Sequence, residues 1–151
     1  MAIVRTPVSA EDLLQFPVRL DGIDVGRAVD LIVDPLHQRA LGLDVLCRDE
    51  AHRFLPLAAA DIGESEIRVS SPFALVDDEG FEFYRGRTSS LRALKGMHVA
   101  RRGRNLGSIR DVVVSPDGEI TAFVVDSGDG DTAIPAEPGL SIAGNGRDGS
   151  G

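Results

Sequence analysis

The sequence predicts a mainly β protein made of two small antiparallel barrels in tandem, related by pseudo-two-fold symmetry. The first observation behind this prediction is a repeated phrase: VGRAVDLIVDP at residues 25–35 returns as LGSIRDVVVSP at residues 106–116. The second is a series of short β-branched runs separated by Asp-Gly and other turn residues, which is a hairpin signal. The third is composition, since aromatic residues make up 5% of the chain and Trp is absent. Branched aliphatic side chains must therefore fill the core, as they do in small barrels.

The repeat extends well beyond the quoted phrase. At an offset of 81 residues, identical residues pair between the halves: Ser9 with Ser90, Leu13 with Leu94, Val18 with Val99, Gly22 with Gly103, Gly26 with Gly107, Asp30 with Asp111, Val33 with Val114 and Pro35 with Pro116. This register indicates a tandem duplication. We expect a first barrel over 11–71, a linker over 72–90, a second barrel over 91–144 and a disordered tail over 145–151.

Local signals place the elements in order within each half. Each half begins with a serine followed by leucines at helical spacing, which predicts single-turn helices capped by Ser9 and by Ser89 or Ser90. Gly96 is typical of a helix stop. Turns are then predicted at Asp21-Gly22, at Gly103 and at Asp117-Gly118, each between extended runs.

Asp30 and Asp111 lie inside apolar runs and could be structural or catalytic. A glycine four residues earlier allows each strand to bend, so that the carboxylate can accept N–H groups from a neighbouring turn. The alternative is a matched pair of catalytic acids. Duplicated residues belong to separate halves and would not face each other, which favours the structural interpretation.

At the residues of the repeat, the chain resembles the PRC-barrel family, which includes the photosynthetic reaction centre H subunit and a ribosome maturation factor. In the first half the resemblance rests on these residues: Leu13, Val18, Asp21, Gly22, Gly26, residues 30–35, Gly42, Leu43, Val45, residues 53–56 and 67–69. In the second half it rests on these: Leu94, Gly96, Val99, Gly103, Gly107, residues 111–114, Pro116, residues 122–125, Ile134, Pro135 and residues 140–142. Gln15 replaces an opening glycine and Thr132 a basic residue.

The resemblance implies a barrel used for docking and assembly, often dimeric, with no catalytic residues and no cofactor. It leaves the identity of the protein partner open. A duplicated chain could act as a monomeric pseudo-dimer, satisfying within itself an interface that single-barrel relatives form between two chains, or it could form a homodimer.

A basic segment at residues 84–104 provides the alternative, an RNA-associated factor in ribosome maturation. Residues 81–115 hold eight Lys and Arg against two acids, whereas residues 1–80 hold seven against fifteen. Arg101, Arg102 and Arg104 are predicted on one hairpin, where they could contact RNA phosphates. They could equally neutralise acidic loops of the first barrel. The pI near 4.8 favours protein over RNA as the partner.

No motif predicts catalysis, a cofactor or a metal. The loop with Asp126, Asp129 and Asp131 lacks the distal glutamate of a calcium loop, and Cys47 with His52 offers too few ligands for zinc. With one cysteine, no internal disulfide and no apolar run long enough to span a membrane, we expect a cytoplasmic protein without an integral membrane segment.

The linker concentrates aromatic residues, which is unusual for a connecting segment. Phe81, Phe83 and Tyr84 follow Phe73 there and have no counterparts in the second half. They predict either buried contacts that join the two barrels or an exposed patch that binds a partner. Together with the three arginines, they are the candidate partner-binding residues of a non-catalytic docking module.

Overall fold

The computed structural model describes residues 7–35, 37–77 and 89–143 of the chain. These residues form two sheets, two short helices and two 3₁₀ turns. The prediction of a mainly β fold with two barrel-like units is confirmed. In the described part of the chain, no helix is long and apolar enough to cross a membrane.

The first sheet contains these strands: β2 Pro17–Leu20, β3 Ile23–Asp34, β4 Arg39–Cys47, β5 His52–Pro56, β6 Ala60–Ile62, β7 Ile67–Val69 and β8 Ser89–Ser90. Their order in the sheet is β5-β4-β3-β2-β7-β6, with β8 paired to the far end of β3. The 3₁₀ turns Leu57–Ala59 and Pro72–Ala74 follow β5 and β7. Long β3 and β4 form the centre of the sheet.

The second sheet has the order β12-β11-β10-β9-β13, with β1 paired to β10. Its strands run as follows: β1 Val8–Ser9, β9 His98–Arg101, β10 Arg104–Val114, β11 Ile120–Asp126, β12 Asp131–Pro135 and β13 Leu140–Ala143. β9, β10, β11 and β12 correspond to β2, β3, β4 and β5 of the first sheet.

Turn chemistry follows the sequence closely. Asp21 and Gly22 have φ of 52° and 82°, and Arg102 and Gly103 have 53° and 79°, so both predicted hairpins use a turn with two left-handed residues. Gly118 has φ of 98° in the turn between β10 and β11, as predicted. The strands also bulge beside Gly107, where an added Cβ would lie 2.6 Å from the Asp126 carbonyl oxygen. Only glycine fits so close to the neighbouring backbone.

The helices are single turns, α1 Ala10–Leu13 and α2 Leu91–Leu94. Ser9 Oγ accepts the Asp12 N–H at 3.1 Å, and Ser90 Oγ accepts the Ala93 N–H at the same distance. The N-caps are therefore confirmed, with Ser90 as the second one. The chain leaves α2 through Gly96, whose φ is 93°.

The opening segment of each half lies on the opposite sheet. Ser9 of β1 pairs with Val113 of β10, and Ser90 of β8 pairs with Ile32 of β3. These two contacts are images of each other at the offset of 81 residues found in the sequence. The helices follow the same exchange, since α1 packs on β10 and α2 on β3. The exchanged strands lie just before the predicted barrel starts at residues 11 and 91.

The pseudo-two-fold axis passes between two turns. Arg39 and Glu119, 80 residues apart, form an antiparallel bridge. Beside it, the Ala40 N–H donates to the Gly118 oxygen at 2.7 Å and the Ile120 N–H donates to the Gln38 oxygen at 3.0 Å. The second bond is the image of the first, so the two halves meet symmetrically at this point.

One cluster of buried aliphatic side chains fills the molecule and draws on both halves, including Leu13, Leu31, Leu94 and Val112. Phe123 is its one buried aromatic residue among those described. The aliphatic core expected from composition is thus present, and it is shared by the two sheets. Such a shared core is what two units this small need for stability.

The final strands of the two halves run in different directions relative to the strands that they pair with. β7 is parallel to β2, with Ile67 beside Val18, whereas β13 is antiparallel to β9, with Ile142 beside Val99. The sequence pattern pairs residues 67–69 with residues 140–142, but it does not predict the direction of either strand relative to its neighbour. The extra strand β6 in the first half lets the chain turn back before β7, and the short connection from β12 to β13 does not.

Candidate docking surface

The three arginines predicted to bind a partner do lie on one hairpin, but they are not equivalent. Arg101 Nε lies 2.6 Å from Glu137 Oε2 and is neutralised there. Arg102 and Arg104 are exposed at the turn, and neither has an ion pair among the described residues. Lys95, from the same basic segment, contacts Glu11 of the first half. The basic segment is therefore partly neutralised within the chain, while the two arginines at the turn stay available.

The predicted aromatic residues Phe81, Phe83 and Tyr84 lie outside the described residues. Phe73, in the described part of the linker, has 92% of its surface exposed. Its chain neighbour Pro72 lines a groove of about 380 Å³ together with Leu20, Leu75 and several charged residues.

Charges at the rim of this groove pair with each other. Arg53 makes two hydrogen bonds to the Asp49 carboxylate, at 3.0 and 2.9 Å. That pairing lowers the pKa of Asp49 to about 2. The rim therefore offers few unpaired charges to a ligand.

Asp30 and Asp111 are structural, as the sequence indicated. Asp30 Oδ1 accepts the N–H of Arg92 at 3.2 Å, and Asp111 Oδ1 accepts the N–H of Glu11 at 3.2 Å. Each aspartate thus binds the first turn of the helix that belongs to the other half. Burial raises the pKa of Asp111. The two carboxylates serve separate helices and do not converge on one site.

The acidic loop before β12 is built by turn bonds. Asp126 Oδ1 accepts the Gly128 N–H at 2.9 Å, the bond expected of an aspartate in a turn. Arg110 is shared by two carboxylates, 3.8 Å from Asp126 and 3.5 Å from Asp131. In the part of the chain that the structure describes, no group of three metal-binding side chains converges.

The side of the second sheet that faces away from the core is a further candidate surface, which the sequence analysis did not predict. Side chains alternate along β10 and β11, where Val112, Val114, Phe123 and Val125 are buried. The residues between them are half-buried and point to the other side of the sheet. With two exposed residues of β12, they form what we call the outer face: Val113, Ala122, Val124, Ala133 and Pro135. All five are uncharged and apolar. Asp111 lies on the same side beside Val124, where it accepts the Glu11 N–H.

The corresponding face of the first sheet is covered by its own chain. Val76, after β7, forms an antiparallel bridge to Phe54 of β5, with N–H to oxygen distances of 2.8 Å in both directions. Phe54 is 1% exposed and clusters there with Ile32, Leu41 and Val76. An added Cβ on Gly42 would lie 2.5 Å from the Phe54 ring. The Phe54 ring and the segment at Val76 together cover this edge of the sheet.

Among the described residues, neither part of this cover has a counterpart on the second sheet. Ala133 stands where Phe54 does, since Val124 faces Ala133 as Asp44 faces Phe54. Within 7–35, 37–77 and 89–143, no strand pairs with the outer side of β12. Asp131, Thr132, Ala133 and Pro135 are all exposed. The outer face thus ends in an open strand edge.

The backbone of β12 points hydrogen-bonding groups away from the sheet at Ala133. The Ala136 N–H donates to the Thr121 oxygen at 3.0 Å, so residue 136 faces β11. Because backbone direction alternates along an edge strand, residues 131, 133 and 135 face outward. Such an edge is a template for pairing with another strand.

A contrast between the halves could have revealed this edge in the sequence. RFLPL at residues 53–57 corresponds to TAIPA at residues 132–136, which replaces a large aromatic residue with Ala133. No such signal indicates that β12 lacks a second strand partner among the described residues, because strand neighbours depend on contacts between segments far apart in the chain.

Comparison with known proteins agrees with the second half of this architecture. Residues 87–147 match the family model of the PRC-barrel domain. That range contains α2 and all of β9 to β13. No curated protein matches the chain.

Proposed function

Since residues 87–147 match the family model of the PRC-barrel domain, we propose that the chain is a non-catalytic docking module that binds a partner protein. Proteins built on this small barrel often serve interaction or assembly. The tandem duplication of the barrel remains a prediction from the repeat, and the paired architecture supports it.

The observation that carries the proposal is the open outer face. Five apolar residues adjoin an uncovered strand edge on the half that matches the family. The other half covers the equivalent edge with Phe54 and Val76. Exposed edges promote unwanted pairing and proteins usually block them, so an edge left open beside an apolar face is best explained by a partner that covers it.

Docking on such a face needs no chemistry from the protein. Strand pairing satisfies the outward N–H and carbonyl groups of β12, and burial of the apolar side chains provides the favourable free energy. Asp30 and Asp111 already accept backbone N–H groups, and the Asp49 carboxylate is paired with Arg53. These assignments favour docking over catalysis.

Site-specific photocrosslinking in the cell of origin tests the proposal. We expect Val124→p-benzoylphenylalanine, on the outer face, to form a discrete adduct with a second protein. The matched control, Glu64→p-benzoylphenylalanine, lies on an exposed bend of the first half and should give none. Equal labelling from both positions, or none from either, would contradict docking on this face.

A second candidate, RNA association, is supported by the two exposed arginines without ion pairs. Contacts with phosphates would make RNA affinity fall steeply with salt, and Arg102→Glu with Arg104→Glu would abolish it. Arg101→Glu is a different change, because it also breaks the pair with Glu137. Salt-independent binding to an rRNA fragment, or none, would exclude this candidate.

A further inference from the structure

We propose that β12 binds an extended segment of a partner protein as an added antiparallel strand. The segment carries a β-branched residue opposite Ala133 and a basic residue opposite Asp131. The inference deepens the proposed docking function and rests on it. It goes further by naming the binding mode and the chemistry of the segment that is recognised.

The first sheet supplies the geometry of the added strand. Val76 approaches Phe54 in antiparallel orientation and exchanges two backbone hydrogen bonds with it. Ala133 occupies the register of Phe54 and directs its backbone outward in the same way. A strand added to β12 would therefore place one residue opposite Ala133 and exchange two hydrogen bonds with that residue.

Side-chain volume selects the residue opposite Ala133. Cross-strand neighbours share one face of a sheet, so this residue lies over the outer face. In the first half, the Phe54 ring fills much of that space beside Val76. The Ala133 methyl group is too small to fill it, and Val113 and Val124 provide apolar surface on the same face. A β-branched aliphatic residue fits a pleated apolar surface of this kind.

Charge selects the residue opposite Asp131. Asp126, Asp129 and Asp131 lie close together in the chain, and Arg110 is the cation that the first and third share. The corresponding position on β5 is His52, which pairs with Asp44 at 2.9 Å. The second edge thus offers a carboxylate where the first offers an imidazole, and it favours a lysine or arginine.

Pro135 limits how far the added strand can extend. It faces outward but has no N–H to donate, so the ladder weakens beyond Ala133 on that side. A short segment centred on Ala133 and Asp131 satisfies the remaining outward groups. We therefore expect recognition of a short extended segment within a larger contact.

The chain's own covering segment provides a probe. The fluorescent hexapeptide FALVDK has the sequence of residues 73–78 with Asp78→Lys, which places valine opposite Ala133 and lysine opposite Asp131. We expect saturable binding by anisotropy. By amide hydrogen exchange, we expect slower exchange at Ala133 when the peptide is present.

Two changes to the peptide separate strand addition from general adhesion. N-methylation of its valine removes the donor to Ala133 and should weaken binding about tenfold or more, since one partner of a backbone hydrogen bond is lost. The unmodified sequence FALVDD, with aspartate opposite Asp131, should bind about fivefold more weakly at low salt.

Two protein variants test the backbone hydrogen bond at Ala133 and the charge preference at Asp131. Ala133→Pro removes an outward N–H and no ladder bond to β11, so an edge strand should tolerate it, and it should abolish peptide binding. Asp131→Lys should reverse the preference in favour of FALVDD. Glu64→Lys, the matched charge control, should leave the preference unchanged. The reversal decides the matter even if Ala133→Pro does not fold.

Several outcomes would overturn the inference. One is binding that ignores N-methylation, and another is binding of FALVDK that leaves Ala133 exchange unchanged. A dimer that forms with rising concentration and is abolished by Ala133→Pro would assign the edge to a second copy of the chain. If crosslinking from position 124 persists in Ala133→Pro, docking stands and strand addition is wrong. If neither position 124 nor the peptide reports binding, the proposed function itself fails.

Discussion

At the scale of single residues, equivalent side chains serve the two halves reciprocally. Asp30 accepts N–H groups from Leu31 at 2.9 Å and from Arg92 at 3.2 Å, and it is 8% exposed. Asp111 does the same for Val112 and Glu11. One carboxylate per half therefore connects a strand to the helix that crosses over from the other half.

Replacing these acceptors should destabilise the protein. Asp30→Ala leaves two N–H groups without their acceptor in a buried setting, and we expect a loss of about 1–3 kcal/mol in the free energy of unfolding by urea. Asp30→Asn keeps one acceptor oxygen and should lose less. A loss no greater in the alanine variant than in the asparagine variant would contradict this role.

The Asp49–Arg53 pair makes a prediction about pH. Hydrogen bonds from Arg53 lower the pKa of Asp49 from 3.8 to about 2. A carboxyl group whose pKa is lower in the folded state stabilises that state at pH values above its pKa in the unfolded chain. The stabilisation from Asp49 is therefore lost as the pH falls from near 4 to near 2. In Arg53→Gln, carboxyl-detected NMR titration should find the pKa of Asp49 moved up towards 3.8. No change, or an equal rise in Arg19→Gln, would refute the pairing.

At the scale of elements, the two halves differ most at the edge strands β5 and β12, of which the first has a partner on its outer side. At the first edge, the Phe54 ring of β5 is buried and Val76 pairs with the outer side of this strand. Within the described residues, no strand pairs with the outer side of β12. The last strands of the two halves also differ, because β7 is parallel to its neighbour β2 and β13 is antiparallel to its neighbour β9. Similar central strands thus carry different edges, and the edges are where we place the function.

Two phenylalanines test which aromatic residue closes the first edge. Phe54→Ala removes a buried ring and should cost about 3–5 kcal/mol of unfolding free energy. Phe73→Ala, at 92% exposure, should stay within about 0.5 kcal/mol of the parent protein. Chemical denaturation of both variants measures this directly. Comparable losses would mean that Phe73 is buried in solution.

At the scale of the whole molecule, exchange of the opening segments makes the halves interdependent. α1 and β1 complete the second sheet, while α2 and β8 complete the first. The shared aliphatic core and the bridge between Arg39 and Glu119 add further contacts across the axis. Neither sheet is complete without residues of the other half.

One core substitution should therefore weaken both sheets together. Leu94 of α2 is 1% exposed, and Leu94→Ala should cost about 2–5 kcal/mol. We expect a single unfolding transition in urea and an equal loss of amide protection in β3 and β10 by native-state hydrogen exchange. Protection that falls in one sheet alone would indicate two independent domains.

The features that depend on near neighbours in the chain could be predicted from the amino-acid sequence. The β class, the repeat, the two-residue turns at Asp21-Gly22 and Arg102-Gly103, and the serine caps follow from backbone preferences and local hydrogen bonds. The structural roles of Asp30 and Asp111 were also indicated, because the repeat placed them in separate halves. Their acceptance of N–H groups from the opposite half was not.

The arrangement of strands side by side could not be predicted in the same way and became clear from the three-dimensional structure. The exchange of β1 and β8, the reversed last strand and the open edge at Ala133 depend on register between segments far apart in sequence. Alternation of apolar residues is the same whether or not a further strand covers an edge, so it carries no record of that neighbour. The candidate site arises from this non-local difference between two halves whose local signals are nearly alike.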